Sequence, residues 1–199
     1  MSQADLDKWD VRYRQGNHPK RNYPSPFLDA WIKRLPESAL KGRALDIACG
    51  AGRNALCLAQ TDLRVDAMDI SRAALDLAAA SAQERGLDVN WIEADLDDVA
   101  LDVGVYNVIS IVRFMHRQMA KQVIDALAPD GWLLVEHHLQ SAQPVGGPST
   151  NTFRLAPQEL LRDYAGLRVL FYEECIDEDR DGRRMALARL VACKGDAGF

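Results

Sequence analysis

Short apolar runs alternate along this chain with segments whose apolar residues recur at helical spacing. The runs predict strands at 43–48, 63–68, 89–92, 103–112 and 132–136. The helical spacing predicts helices at 3–15, 26–35, 53–60, 71–86 and 116–128. Strands that alternate with helices in this way form a parallel sheet with right-handed connections. Ligands of such sheets bind beyond the carboxyl ends of the strands.

Punctuation residues support several of these boundaries. Ser25, followed by Pro26, is predicted to cap the second helix, because proline is tolerated at the first helical position. Ser71 is predicted to cap the fourth helix, and Gly86 to end it. The segment 16–26 is rich in Gly, Asn, Pro and basic residues and is predicted to be a loop.

The alternation stops after His138. Residues 140–151 are polar and rich in Gly and Pro, which predicts a lid or substrate loop. A helix is expected at 156–164, and strands at 167–173 and 184–192 flank an acidic turn at 177–182. One of these two strands must run antiparallel, since a short turn joins them. The predicted fold is therefore α/β: a doubly wound, mostly parallel, seven-stranded Rossmann-like sheet with a C-terminal antiparallel hairpin and helices on both faces.

Composition narrows the function classes. The chain has 199 residues, 48% of them apolar, and a formal net charge of −5 without a long basic run. Nucleic acids and anionic membranes both require a positive face, so neither is expected as a partner. Apolar runs fall short of the roughly 18 residues of a membrane span, and the polar, acidic N-terminus does not resemble a signal peptide. We therefore expect a cytoplasmic protein.

The four cysteines, at 49, 57, 175 and 193, form no C-x-x-C pair. Three of them fall in predicted strands or helices and are expected to be small buried apolar residues. Cys49 lies in the predicted loop that also contains Gly50 and Gly52. A nucleophilic role would need an activating base, and the sequence shows none nearby, so Cys49 is interpreted as a small loop residue.

The segment 44–54 combines a strand end, a small-residue turn and the start of a helix. Gly50 and Gly52 permit positive φ and close approach of a ligand to the backbone. Asp69 follows the next strand about 20 residues later, where an acid commonly accepts hydrogen bonds from a ribose diol. The glycines and Asp69 fit a dinucleotide loosely, but Asp46 would repel a pyrophosphate. A cationic cofactor that bears a ribose fits better, with Asp95 as a further acceptor or, alternatively, as a turn cap.

The resemblance that these residues carry is to class I S-adenosylmethionine-dependent methyltransferases. It covers about residues 40–138 and rests on four motifs, Asp46-x-Ala48-Cys-Gly50-x-Gly52, Asp69-Ile70-Ser71, Glu93-Ala94-Asp95-Leu96 and Pro129-Asp-Gly131-Trp-Leu-Leu. The resemblance implies S-adenosyl-L-methionine as the cofactor, with its methionine end on the 46–52 loop, its ribose on Asp69 and its adenine near Asp95 and Leu96. The family often has glycine where this chain has Ala48. The implied cofactor-binding residues are Asp46, Ala48, Gly50, Gly52, Asn54, Asp69, Ile70, Asp95, Leu96 and Val112.

The flanking motifs resemble the tellurite-resistance and thiopurine methyltransferase-like branch of this family. They are Trp9-Asp-x-Arg12-Tyr13, Pro24-Ser-Pro-Phe-Leu28, Gly52-Arg-Asn54, Arg113-Phe-Met-His-Arg117 and the ending Arg189-Leu-Val-Ala192. We expect a single methyltransferase domain over 1–199, with a helical cap at 1–36, a cofactor-binding core at 40–138, and a substrate loop with a helix and hairpin at 139–199.

Cationic and imidazole side chains near the ends of the fourth and fifth strands suggest a small anionic or thiol-type methyl acceptor. Transfer from a sulfonium is an in-line displacement, so proximity and orientation dominate. The expected catalytic residues are Arg113, His116 and His137, and the expected substrate or lid residues are Arg12 and Tyr13. Structural histidines and surface ion pairs remain open alternatives, whereas a metal at His137 and His138 is not expected because neighbouring strand residues diverge.

Two other functions remain open at the level of sequence. One is a non-catalytic S-adenosylmethionine-binding or interaction module, since fold does not fix function. The other is an NAD-type oxidoreductase, which Gly50, Gly52, Ala55 and Asp69 would suit. The oligomeric state, monomer or homodimer, is also open.

Overall fold

The computed structural model describes residues 3–16 and 21–198. The predicted loop at 16–26 thus lies partly outside the described residues. The helices are α1 (Gln3–Arg14), α2 (Pro26–Ile32), α3 (Arg53–Leu58), α4 (Arg72–Arg85), α5 (Ala120–Ala126) and α6 (Glu159–Asp163). The strands are β1 (Gly42–Ile47), β2 (Leu63–Asp69), β3 (Val89–Glu93), β4 (Tyr106–Val112), β5 (Leu127–His138), β6 (Arg168–Glu178) and β7 (Arg184–Lys194). Two short 3₁₀ turns occupy Arg117–Met119 and Asn151–Phe153.

The seven strands form one sheet in the order β3-β2-β1-β4-β5-β7-β6. Strands β1 to β5 pair in parallel, whereas β7 pairs antiparallel with both β5 and β6. The predicted fold class is confirmed, and β7 is the strand that reverses. Strand order changes direction between β1 and β4, which is where doubly wound sheets bind ligands.

Helices cover both faces of the sheet. The buried residues of α2, α3 and α4 share one apolar cluster, which includes Leu28, Leu58 and Leu75. The residues of α5 and α6 contribute to a second cluster, with Val123 and Leu160. Strands that are covered on both faces need near-continuous apolar sequence, which accounts for the run at the end of β4. No helix within the described part of the chain is long and apolar enough to cross a membrane.

Three local predictions need correction. Strand β4 begins at Tyr106 rather than at 103, and Val103 is 76% exposed, so apolar character extended the predicted strand into a loop. Strand β5 begins at Leu127 and includes the predicted turn, with Asp130 at a φ of 58°. Ser25 is the N-cap residue of α2 and Pro26 is its first residue, as predicted, but the Ser25 side chain makes no capping bond and instead donates to Glu136 at 3.1 Å.

The caps of α4 are confirmed. The Ser71 hydroxyl accepts the Ala74 N–H at 3.2 Å, and Gly86 ends the helix at a φ of 63°. A left-handed residue at that point lets the N–H of the following turn reach the last carbonyls of the helix.

The loop at 140–151 is anchored by Arg154, which is buried. Its guanidinium donates to the carbonyl oxygens of Leu139 at 3.0 Å, Gly146 at 3.0 Å and Pro148 at 2.9 Å. Each of its three nitrogens therefore has a backbone acceptor. Arg154, which follows the loop in sequence, therefore ties the loop to the end of β5.

Candidate functional site

The loop that follows β1 has left-handed backbone at three positions. Ala48 has a φ of 54°, Gly50 of 54° and Gly52 of 78°. The Cys49 N–H donates to the Met68 carbonyl at 2.9 Å, so the loop starts against the end of β2. A left-handed alanine is disfavoured by its Cβ, and this explains why glycine suits position 48.

The two glycines of the loop have different neighbours. A Cβ on Gly50 would collide with the Tyr13 hydroxyl of α1. A Cβ on Gly52 would lie 2.7 Å from Trp91 and 2.8 Å from Ala78. Gly52 therefore permits close packing of the loop against α4 and β3, and Gly50 permits close approach of α1.

Asp69, at the end of β2, organises the loop. Its Oδ2 accepts the Gly50 N–H at 2.7 Å, and its Oδ1 accepts the Ser71 N–H at 2.9 Å. Burial raises the pKa of Asp69, and these backbone hydrogen bonds oppose the rise. The carboxylate thus joins the ends of β1 and β2 while it also borders the cavity described below.

Asp46 is 1% exposed and lies within β1. Its Oδ1 accepts the Ser110 hydroxyl at 2.6 Å, and its Oδ2 has no hydrogen-bond partner among the described residues. Burial raises the pKa of Asp46 to about 7, although the Ser110 hydrogen bond opposes this. The carboxyl group is therefore poised to change charge near neutral pH.

A cavity of about 220 Å³ lies at the carboxyl ends of β1, β2 and β4. Eight of the residues that line it were predicted from the sequence: Tyr13, Ala48, Gly50, Asn54, Asp69, Ile70, Val112 and Arg113. Six others were not: Trp9, Arg21, Cys49, Ala51, Arg53 and Phe114. The structure thus brings most of the predicted cofactor residues around one space at the topological switch point.

Seven predicted site residues do not line this cavity: Arg12, Asp46, Gly52, Asp95, Leu96, His116 and His137. Asp95 accepts the Asp97 N–H at 3.0 Å, as a turn-capping aspartate does. Leu96 is 2% exposed and belongs to the core. Arg12 lies over the Trp9 ring, 5.2 Å from its centroid.

Arg113 follows β4 at a φ of 63° and contacts Glu136, which is fully buried. Its Nε donates to Glu136 Oε1 at 3.0 Å, and Arg189 donates to Oε2 at 2.7 Å. Burial would raise the pKa of Glu136, but the charges of Arg113 and Arg189 outweigh it and lower this pKa. Arg113 is therefore a cation whose charge is already shared with a buried carboxylate.

The histidines lie beside the main cavity rather than in it. His116 contacts Asp97 at 2.6 Å, and His137 contacts the Phe153 carbonyl at 3.2 Å. Both border a second cavity of about 30 Å³. Burial lowers the pKa of His137 to about 4 and that of His138 to about 3, so both rings are neutral at pH 7.

Helix α1 covers the cavity through Trp9 and Tyr13. Asp10 holds α1 against the first turn of α4, because its Oδ1 accepts the Ser71 hydroxyl at 2.6 Å and the Ala73 N–H at 3.2 Å. The Ser71 hydrogen bond is the main reason why the pKa of Asp10 is lowered. An ionised Asp10 therefore anchors the helix above the site.

Arg21 and Arg53 are the polar lining residues that sequence reasoning missed. Arg53 stands inside the Gly52-Arg-Asn54 motif, so its position beside the glycine loop was a usable signal. Arg21 precedes α2 in a segment without regular structure, and nothing in its local sequence indicates where it docks.

Residues 44–131 match the sequence profile described as "Methyltransferase domain". This segment, which is less than half of the chain, is therefore similar to a methyltransferase domain. The resemblance to class I S-adenosylmethionine-dependent methyltransferases is thereby confirmed.

Several known proteins also resemble this chain. The chain is 34% identical to the cypemycin N-terminal methyltransferase of a Streptomyces species over 91 residues. This alignment covers 45% of this chain and 35% of the relative. The fold of this chain superposes on TehB from Haemophilus influenzae with a TM-score of 0.73 at 20% identity, covering 94% of this chain and 67% of that one. A SAM-dependent methyltransferase from Aquifex aeolicus gives 0.65 at 16% identity, with 97% and 98% covered. The chain spans 35% to 55% of the length of the three curated relatives that it matches.

The residues present fit the cofactor that the family implies. S-adenosyl-L-methionine bears a ribose diol, an α-amino group and an α-carboxylate. The cavity borders Asp69, whose carboxylate suits a diol, and buried arginine N–H groups of Arg21 and Arg53 that have no described acceptor. The lining therefore offers groups complementary to both a diol and a carboxylate.

Proposed function

We propose that this protein binds S-adenosyl-L-methionine and transfers its methyl group to a small acceptor that is anionic or carries a thiol. The observation that carries the proposal is the cavity between the ends of β1, β2 and β4, where Asp69 and the 48–54 loop meet. When bound, the cofactor supplies an electrophilic methyl group on a sulfonium. The residues of this chain bind the cofactor, orient the acceptor towards its methyl group and shield both from water.

In this proposal the glycine loop and Asp69 hold the cofactor. Gly50 presents its backbone beside Asp69, and Ala48, Asn54, Ile70 and Val112 complete the wall of the same cavity. The other predicted cofactor residues do not line the cavity, and we assign them to support of its wall or to contacts with the cofactor at its edge: Asp46, Gly52, Asp95 and Leu96. We assign the cofactor-binding core to 40–138 and the cap to 1–36, because Trp9 and Tyr13 of α1 border the cavity.

An anionic or thiol-type acceptor is supported by the charges around the cavity. Arg21, Arg53 and Arg113 line it, whereas Asp69 is the acidic residue among the lining residues. A cationic site favours an anionic acceptor and also favours the thiolate form of a thiol. An acceptor that is already ionised needs no general base, so proximity and orientation suffice.

Of the proposed catalytic residues, Arg113 borders the cavity and is assigned to positioning the acceptor. His116 and His137 border the neighbouring small cavity, next to Phe114, which lines both spaces. We assign both histidines to shaping the part of the site that receives the methyl acceptor. Arg12 and Tyr13 are assigned to the lid because both belong to α1.

Calorimetry with S-adenosylhomocysteine tests the cofactor half of the proposal. We expect binding, competed by S-adenosyl-L-methionine and not by NADH. Absence of binding at high micromolar cofactor would defeat the proposal, and protection from thermal unfolding by NADH alone would favour an oxidoreductase.

The transfer half is tested by release of S-adenosylhomocysteine over a panel of carboxylates, oxyanions and thiols. Turnover with an anionic or thiol acceptor supports the proposal. Tight cofactor binding without turnover on the whole panel would instead favour a non-catalytic binding module.

A further inference from the structure

The small cavity beside the main one has a largely apolar wall that also carries two imidazole rings, those of His116 and His137. Its volume of about 30 Å³ is close to the space that one water molecule takes in the liquid. Ile111 of β4 and Val135 of β5 are paired in the sheet, and both line it. His137 lies two residues beyond Val135 and therefore on the same face of β5, which is the face that α5 and α6 cover.

Each of the two rings has a buried nitrogen without a partner. His137 is 3% exposed, and its Nδ1 has no hydrogen-bond partner among the described residues. The Nδ1 of His116 is also buried and has none within that part of the chain. Buried polar atoms are nearly always paired, so two unpaired nitrogens on the wall of one cavity call for a specific explanation.

The hydrogen bond of the other ring nitrogen decides the chemistry of His137 Nδ1. Nε2 lies 3.2 Å from the carbonyl oxygen of Phe153, which can only accept, so Nε2 carries the hydrogen and donates it. Burial, together with the nearby charges of Arg113 and Arg117, lowers the pKa of His137 to about 4, so the ring is neutral at pH 7. A neutral ring with its hydrogen on Nε2 has a lone pair on Nδ1. This nitrogen is therefore an acceptor that lacks a donor.

His138 provides a comparison, because its Nδ1 is also buried and without a partner in the described part of the protein. A Cβ added to Gly147 would lie 2.6 Å from that nitrogen, so the loop at 140–151 packs directly against it. His138 lines neither of the two cavities. Close packing therefore accounts for His138, whereas His137 borders a space that can hold a small group.

We propose that the small cavity is a subsite for one neutral hydrogen-bond-donating group of the methyl acceptor, and that this group donates to Nδ1 of His137. A hydroxyl, amino or thiol group supplies such a hydrogen, and the volume admits one of them. Phe114 lines both cavities, so the rest of the acceptor lies past its ring in the main cavity, on the side of Arg113. The identity of the ligand as a methyl acceptor rests on the proposed function.

The role assigned to His137 is recognition rather than removal of a proton. A general base works best when its pKa is near the operating pH, and the pKa of His137 is about 4. An acceptor without the donating group leaves the Nδ1 lone pair buried and unpaired, which disfavours its binding. The subsite therefore selects among the small acceptors that the main cavity can receive.

Calorimetry with phenol and toluene, on the full chain loaded with S-adenosylhomocysteine, tests the subsite. The two probes have nearly the same shape, but only phenol donates a hydrogen bond. We expect the wild type to bind phenol at least about tenfold more tightly than toluene, as one net hydrogen bond predicts. His137→Phe should reverse this preference, because a buried hydroxyl without an acceptor is penalised. His137→Asn should restore part of it, because the amide oxygen can accept near the position of Nδ1.

Nitrogen NMR of the wild type gives a second readout that needs no variant. The Nδ1 signal of His137 should shift when phenol is added and stay in place when toluene is added. The Nδ1 signal of His138 is the internal control and should respond to neither probe.

Asp163 also lines the small cavity and carries oxygens that can accept a hydrogen bond. Asp163→Asn is therefore the matched variant, and we expect it to keep the preference of the wild type for phenol. Thermal unfolding of each variant confirms that it is folded.

Three results would overturn the subsite: equal affinity of the wild type for the two probes, no binding of phenol at millimolar concentration, or a His137 signal that does not respond to phenol. A preference that is lost in Asp163→Asn and kept in His137→Phe would overturn the assignment to His137. If the wild type does not bind S-adenosylhomocysteine, the proposed function fails instead. The same titrations on the unloaded protein then still decide whether His137 receives a donor.

Discussion

The carboxylate of Asp69 accepts the backbone N–H of Gly50 at 2.7 Å, which joins the end of β2 to the loop that follows β1. The same side chain borders the cavity, so one residue both shapes the loop and forms part of the cavity wall. Its second oxygen accepts the Ser71 N–H at 2.9 Å, where α4 begins. A substitution at Asp69 is therefore expected to affect stability and ligand binding together.

Asp69→Ala is predicted to lower the free energy of unfolding by about 3 kcal/mol, because two buried N–H groups lose their acceptor. Cofactor affinity is predicted to fall by more than about tenfold, since a buried ribose diol would also lose its partner. Urea unfolding measures the first effect, and calorimetry at a temperature where the variant is folded measures the second. Asp76→Ala, at an exposed position of α4, is the control. Unchanged affinity in a folded Asp69→Ala would contradict the ribose assignment.

Periodicity and the spacing of acids predicted the sheet and one half of the site. Asp46 lies near the end of one apolar run and Asp69 follows the next, so their meeting near the carboxyl edge of the sheet follows from parallel topology alone. The caps of α4 could also be predicted from the sequence, because Ser71 and Gly86 each form hydrogen bonds with backbone groups within one helical turn. These features share one property, which is that their partners are close in sequence or forced together by strand order.

The missed features depend on contacts between distant segments. Ser25 occupies the predicted N-cap position of α2, but its hydroxyl donates to Glu136, 111 residues away, rather than to the helix. Arg21 is held beside the cavity by ion pairs with Asp179 and Asp181, which belong to the turn between β6 and β7. Neither partner can be inferred from local pattern, since a loop arginine looks the same whether it faces solvent or a cavity.

Ala48→Gly is predicted to raise the free energy of unfolding by up to about 1 kcal/mol. Removing a left-handed Cβ relieves about 1–2 kcal/mol, and the added freedom of the unfolded chain offsets part of it. Ala44→Gly makes the same chemical change in β1, where the residue is fully buried, and should lower stability by about 1 kcal/mol. Equal losses in the two variants, measured by urea unfolding, would show that Ala48 is not strained.

Glu136→Gln is predicted to lower the free energy of unfolding by about 3–5 kcal/mol, because it leaves Arg113 and Arg189 without their buried counter-charge. Glu173 also pairs with Arg189, at 2.8 Å, but its side chain is 37% exposed. Glu173→Gln should therefore cost no more than about 1 kcal/mol. A loss at Glu136 no larger than at Glu173 would mean that the buried pairs add little to stability.

His137 and His138 are predicted to stay neutral down to about pH 5, since burial lowers their pKa to about 4 and about 3. Their ring signals in NMR spectra should not shift between pH 8 and pH 5.5. Unfolded histidines protonate near pH 6.5, so the unfolded state gains protons first and stability falls as pH drops from about 6.5 towards 4. His137→Gln should reduce that loss; a ring signal of His137 that titrates near pH 6.5 would disprove its burial as a neutral base.

Asp46 is predicted to give stability the opposite pH dependence. Its pKa is about 7 in the folded protein and near 3.8 without the fold, so the folded state binds the extra proton between those values. The contribution of Asp46 to the free energy of unfolding should therefore be greatest below about pH 4 and should fall as pH rises through about 7.

Asp46→Asn does not titrate, so the difference in unfolding free energy between it and the wild type should change across this window and level off above about pH 8. Ser110→Ala supplies the control, because the hydroxyl that it removes donates to Asp46 at 2.6 Å and holds the pKa down. Its loss should extend the window to higher pH. Parallel pH profiles for the wild type and Asp46→Asn, measured by urea unfolding from pH 4 to 9, would show that Asp46 is already ionised in the folded protein.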